Sequence, residues 1–135
     1  MNADTVLEAA RATLTGSLPF PQIVGKLIET GVEYYHVDYA ARQMRFYSAA
    51  GSMVVAPLLF EDLPAIAQDF DAPALRAAIL DSQQNGQKFR KFSQRAMQAG
   101  VQSYIAYLRG QRVTYFGRQG DQHTEWFPGA KPENS

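Results

Sequence analysis

The chain has 135 residues, 46% of them hydrophobic and 12% aromatic, with 19% charged residues in exact balance and no cysteine. That length suits one core rather than two, the composition lies outside the polar, highly charged regime of disordered chains, and the missing thiols exclude a disulfide framework and cysteine catalysis. No apolar run reaches the roughly 18 residues needed to cross a bilayer, and "MNADTVLEAARATLTGS" lacks the basic start and apolar centre of a signal peptide, so the expectation is a cytoplasmic protein with no membrane partner.

In chain order, "TVLE" at residues 5–8 reads as a capping box. Val6, Ala9, Ala10 and Leu14 behind it form an apolar stripe, so a helix is expected to about Thr15. A second helix starts near Pro21 and stops at Gly31, a residue suited to the left-handed conformation that closes helices. After it the period drops to two. Tyr35, Val37 and Tyr39 alternate with Tyr34, His36 and Asp38, and turns at "YAARQ" and "AAGS" separate this strand from "MRFYS" and "MVVAPL".

The segment "FEDLPAIAQDFDAP", residues 60–73, is a linker apolar enough at Phe60, Leu63, Ile66 and Phe70 to be packed. The order then repeats. Asp71 caps a helix carrying Leu75, Ala78 and Ile79; another runs from about Arg90 to Gly100; and three strands follow through "GVQSYIAYL", "VTYFG" and "QHTEWF". An offset of 69 residues brings Phe20 onto Phe89, Gly31 onto Gly100, Tyr35 onto Tyr104 and Gly51 onto Gly120 without a gap. The expected fold is therefore α+β, a two-layer internal duplication of an ααβββ unit with antiparallel three-stranded meanders. Residues 1–128 form one domain, the units span 5–59 and 74–128, and 129–135 is a disordered tail.

The stretches "GVEYYHVD", "AGVQSYIAYLRG" and "VTYFGRQG" through "EWFP" resemble the YbcV and YdfO-like family of bacterial and prophage proteins of unknown function, some of which carry the label phage envelope protein. The resemblance covers about Thr5 to Pro128. It implies a small α+β domain, and it attaches no activity or catalytic residues.

Two His–acid pairs, His36 with Asp38 and His123 with Glu125, have the two-residue spacing that puts side chains on one strand face. They are not repeat counterparts, since His36 matches Ile105 and His123 matches Val54. A metal site needs three or four convergent ligands, so no metal, cofactor or catalytic residue is assigned, and enzyme activity is the minority reading. The sheet face of opposite parity to the core is the better candidate: Tyr34, His36, Asp38, Arg45, Tyr47, Tyr107 and Phe116 are expected on it as a ligand or partner surface. A protein partner or self-association is preferred there over a small molecule held in a groove between the units.

Charge is divided. Residues 1–71 carry nine acids against four Lys or Arg, while residues 72–135 reverse those counts, and no acid occurs between Ser82 and Arg118. The basic, aromatic "KFRKFSQR" invites nucleic acid, but Phe89 and Phe92 fall on the core stripe and the overall pI is near 6.7. Nucleic acid is therefore disfavoured.

Overall fold

A computed structural model describes residues 1–130. Helix α1 (Ala3–Thr15) begins earlier than the Thr5 capping box implies, because the Asn2 side chain accepts from the Thr5 backbone N–H at 3.2 Å. Asn2 is the cap, and Thr5 lies within the first turn. Asparagine caps as well as threonine does. The Asn2 N–H also donates to Thr30 Oγ1 at 2.9 Å, tying the start of α1 to the end of α2 (Phe20–Glu29).

Three strands follow, β1 (Val32–Asp38), β2 (Gln43–Ser48) and β3 (Met53–Pro57). The second unit is α3 (Ala72–Gln84), capped by Asp71 through the Ala74 N–H at 3.0 Å, then α4 (Phe89–Gln98), β4 (Val101–Tyr107), β5 (Arg112–Gly117) and β6 (Gln122–Trp126). Each element starts and ends 69 residues after its counterpart. Backbone detail repeats as well: Gly31 and Gly100 have φ of +92° and +95° just after a helix, as their role in closing α2 and α4 requires, and Arg42 and Gln111 share φ near +57° and +56° in the first hairpin turn of each unit.

The meanders do not stack on one another as two sheets. They join edge to edge through an antiparallel β1–β4 pair into one six-stranded sheet of order β3-β2-β1-β4-β5-β6. The physical reason lies in the backbone, since a three-stranded meander leaves the outer groups of its first strand unpaired, and pairing β1 with β4 satisfies both rows. In that register His36 faces Ile105, its own counterpart at offset 69, so a pseudo-twofold axis crosses the sheet between them.

All four helices cover one face. Tyr35, Val37 and Tyr39 from β1 and its turn, Phe46 from β2, and Tyr104, Ala106 and Leu108 from the β4 segment are buried there against Leu27, Leu75 and Met97. Tyr39 is fully buried and its hydroxyl donates to Ser93 Oγ of α4 at 2.9 Å, a contact between the two units. The linker packs: Phe60, Leu63, Ile66 and Phe70 lie partly buried against the core, and Ala67 and Asp71 N–H groups bond the Met97 and Ala99 carbonyls. Gly129 and Ala130, at the start of the expected disordered tail, lie in and just after a turn; residues 131–135 of that tail fall outside the described residues.

Candidate functional site

The face turned away from the helices carries the even-numbered residues of β1, β5 and β6 and the odd-numbered residues of β2, β3 and β4. Strand register arranges these residues in three rows that cross all six strands. The first runs Met53, Tyr47, Tyr34, Tyr107, Arg112, Trp126; the second Val55, Arg45, His36, Ile105, Thr114, Thr124; the third Pro57, Gln43, Asp38, Ser103, Phe116, Gln122. The seven residues expected on this face from strand parity are all there, with Tyr34, Tyr47, Tyr107 and Phe116 half-buried.

Aromatic side chains dominate the first row. The Tyr34 and Tyr47 rings stack at 4.8 Å and 13°, Tyr107 lies 6.2 Å beyond Tyr34, and the Arg112 guanidinium sits 3.9 Å from the centre of the Trp126 ring. Because Tyr34 and Tyr47 turn their ring faces toward one another, those faces are already occupied, an arrangement unlike the open stacking platforms that hold unpaired bases. Tyr34 and Tyr107, with Arg109, Arg112, Thr114 and Thr124, also line an open depression of about 670 Å³ at the seam between the units.

In the second and third rows, Arg45 organises unit one. It donates from Nε to the Tyr47 hydroxyl at 3.1 Å, pairs with Asp38 at 3.5 Å and donates from Nη2 to His36 Nδ1. Guanidinium has only donors, so Nδ1 accepts and the imidazole proton is on Nε2, which is buried without a partner among the described residues. Burial, and then the Arg45 charge, hold the His36 pKa below the ordinary imidazole value against an opposing pull from Asp38. His36 and Asp38 are thus bridged by Arg45 rather than bonded to one another. Their counterparts Ile105 and Tyr107, and Thr114 opposite Arg45 in the repeat, carry no charge, so this His–Arg–Asp cluster belongs to unit one alone.

The second His–acid pair lies on the other face. His123 Nε2 and Glu125 Oε2 are 2.9 Å apart, the imidazole stacks near Tyr115, and with Arg76 and Gln83 of α3 they border a cleft of about 390 Å³ at the sheet's outer edge. The two pairs do not converge, and among the described residues no group of three or more His, Asp or Glu is placed to hold a metal ion.

Arg112, Trp126, Met53 and Val55 belong to the surface although strand parity alone had not selected them. The 69-residue offset relates all four to positions of the other unit on the same face: it maps Arg112 to Gln43, Trp126 to Pro57, Met53 to Gln122 and Val55 to Thr124. The basic run is largely committed elsewhere. Arg90 donates to Asp62, Arg95 pairs with Asp81, Arg109 with Glu33, and Lys88 and Arg118 donate to the Gly16 and Ile66 carbonyls, while Phe92 is buried and Phe89 packs against the core.

No helix among the described residues is long and apolar enough to cross a membrane. No curated protein matches the chain. Residues 8–125 match the family described as protein of unknown function (DUF1398), which spans both repeat units, and the chain belongs to that family.

Proposed function

We propose that the protein is a non-enzymatic interaction module whose working surface is the open sheet face, and that the face packs against a second copy of the chain. The observation that carries this reading is the aromatic row on a face that all four helices leave bare. Six strands spaced about 4.8 Å apart and five to seven residues long give a patch on the order of 600 Å² in projection, close to the roughly 800 Å² each partner buries in a stable interface. Charge supports a like partner. Asp38 and Arg45 neutralise one another and the chain has no net charge, so two copies meet with little like-charge repulsion. In the same reading, residues 1–128 form one folding unit, the chain is cytoplasmic, and within its family it resembles the YbcV and YdfO-like proteins.

Sedimentation of the parent and of the double variant Tyr47→Ser, Phe116→Ser tests the proposal. Half-covering an aromatic ring contributes about 1 kcal/mol, so the pair should weaken face-to-face association by at least about tenfold. Equal association in parent and variant counts against the face. The depression beside Tyr34 and Tyr107 supports a second reading, a small-molecule site between the units. Ligand-induced stabilisation that Tyr107→Ala removes, in a protein that stays monomeric, would select that reading.

A further inference from the structure

We propose that the outer edge of β6 is a self-pairing strand edge, taking the β6 of a second copy of the chain in an antiparallel ladder centred on Thr124. Strand β6 ends the sheet. The Gly117 N–H bonds the Asp121 carbonyl at 2.8 Å and the Phe127 N–H bonds the Gln111 carbonyl at 2.9 Å, so the odd-numbered residues of the β6 segment turn their backbone groups toward β5. By alternation, Gln122, Thr124 and Trp126 turn theirs outward.

The arithmetic of this edge is self-complementary. An antiparallel pair centred on Thr124 sets Gln122 opposite Trp126 of the second copy, and each outward-facing pair exchanges two backbone hydrogen bonds. It also sets His123 opposite Glu125 of the second copy, in the closer type of cross-strand pair with Cα atoms about 4.5 Å apart. The two residues already pair within one chain at 2.9 Å, so the twofold produces an alternating cluster of two imidazoles and two carboxylates. Space exists for it, because the cleft of about 390 Å³ under this edge is lined by these side chains together with Arg76 and Gln83.

The other half of the duplication is an internal control. Strand β3 forms the opposite edge of the sheet, and its residues Met53, Val55 and Pro57 face outward by the same alternation, since the Leu58 N–H bonds the Arg42 carbonyl and the Ser48 N–H bonds the Ser52 carbonyl. Pro57 has no N–H to give, and Val54 and Ala56 stand where β6 has His123 and Glu125. That edge is closed to a ladder of the same length. It also stops β3 from pairing with β6 of another copy, a head-to-tail contact that would propagate without end. One open edge and one blocked edge give a closed dimer whose twelve strands form one sheet. Edge pairing places the two open faces side by side, and it stands whatever covers those faces.

Sedimentation with Thr124→Pro, Glu125→Lys and the Tyr47→Ser, Phe116→Ser double variant separates the two surfaces. Proline at 124 removes the outward N–H and no backbone bond to β5, with the exposed Thr124–Thr114 hydroxyl contact at 3.0 Å lost beside it, and lysine at 125 replaces the acid opposite His123. Each edge variant is expected to weaken association at least about tenfold with unchanged circular dichroism, whereas the double face variant should keep an edge-paired dimer. Amide exchange on the parent decides any case in which an edge variant fails to fold or the two disagree. Protection at Thr124 and Trp126 that grows with protein concentration supports the pairing. A parent that stays monomeric to its solubility limit, or amides at 124 and 126 that exchange freely in the associated state, overturns it.

Discussion

His36 sits where the pseudo-twofold axis crosses the sheet, and its chemistry shows how far the two halves have diverged at a single position. Its counterpart Ile105 needs no partner, whereas His36 accepts from Arg45 and leaves Nε2 buried and without a partner among the described residues. Burial and the neighbouring guanidinium favour the neutral ring in the folded state. The unfolded chain binds that proton near pH 6.5. Below that pH the unfolded state therefore holds more protons, and His36 subtracts stability as pH falls, while above it the contribution is flat. Urea titrations of the parent and of His36→Gln between about pH 5 and about pH 8 should show the parent losing ground to the variant on the acid side. A constant difference would mean that His36 titrates alike in both states. Parity along β1 and β2 placed His36, Asp38 and Arg45 on one face from residue order alone. That Arg45 would stand between the histidine and the acid depended on the register of β2 against β1 and on rotamers, neither of which alternation encodes.

Among the elements, the helix ends carry the clearest comparison between the units. Gly31 and Gly100 occupy the same left-handed position, and both were legible as helix stops because few other residues tolerate it. Their surroundings differ. A Cβ on Gly31 would meet nothing nearer than 3.9 Å, whereas one on Gly100 would lie 2.4 Å from the Asp69 carbonyl oxygen and 2.9 Å from Phe70 Cα. The linker makes that difference, since it is bound across the end of α4 through the Asp71 N–H to the Ala99 carbonyl at 2.8 Å. Gly31→Ala should cost about 1 kcal/mol, the backbone term alone. Gly100→Ala should cost several times more, because backbone rather than a flexible side chain must move. Chemical denaturation measures both, and equal losses would show that the linker yields freely. The Asn2 cap was less legible, since Thr5 with Glu8 matched the pattern equally well. The left-handed Arg42 and Gln111 carry no glycine or asparagine signal, so their turn geometry appears only with the fold.

For the molecule as a whole, the 69-residue offset was written in apolar phase, but the way the halves join was not. Edge-to-edge pairing uses N–H and C=O groups that every residue except proline possesses, so side-chain pattern gave the duplication without saying how the two units join. The join is extensive. Beyond the β1–β4 ladder, the Tyr39 N–H bonds the Gln102 carbonyl, the Leu108 N–H bonds the Glu33 carbonyl, and the Tyr39 hydroxyl reaches Ser93. Separated, unit one would expose the β1 edge and leave the fully buried Tyr39 without Tyr104 beside it, a ring now 6.1 Å away. Three strands and two short helices bury too little to offset the cost of ordering them. The fragment 1–71 alone should therefore be either unfolded or a homodimer in which one β1 pairs with another, with His36 facing His36 across a true twofold in place of the present pseudo-twofold. Mixing it with fragment 72–135 should restore the parent's circular dichroism and melting transition, because the intact sheet gains the mixed His36–Ile105 seam. A fragment 1–71 that folds cooperatively as a monomer would show that the core of each unit is self-sufficient, and that the seam serves only to align two independent faces.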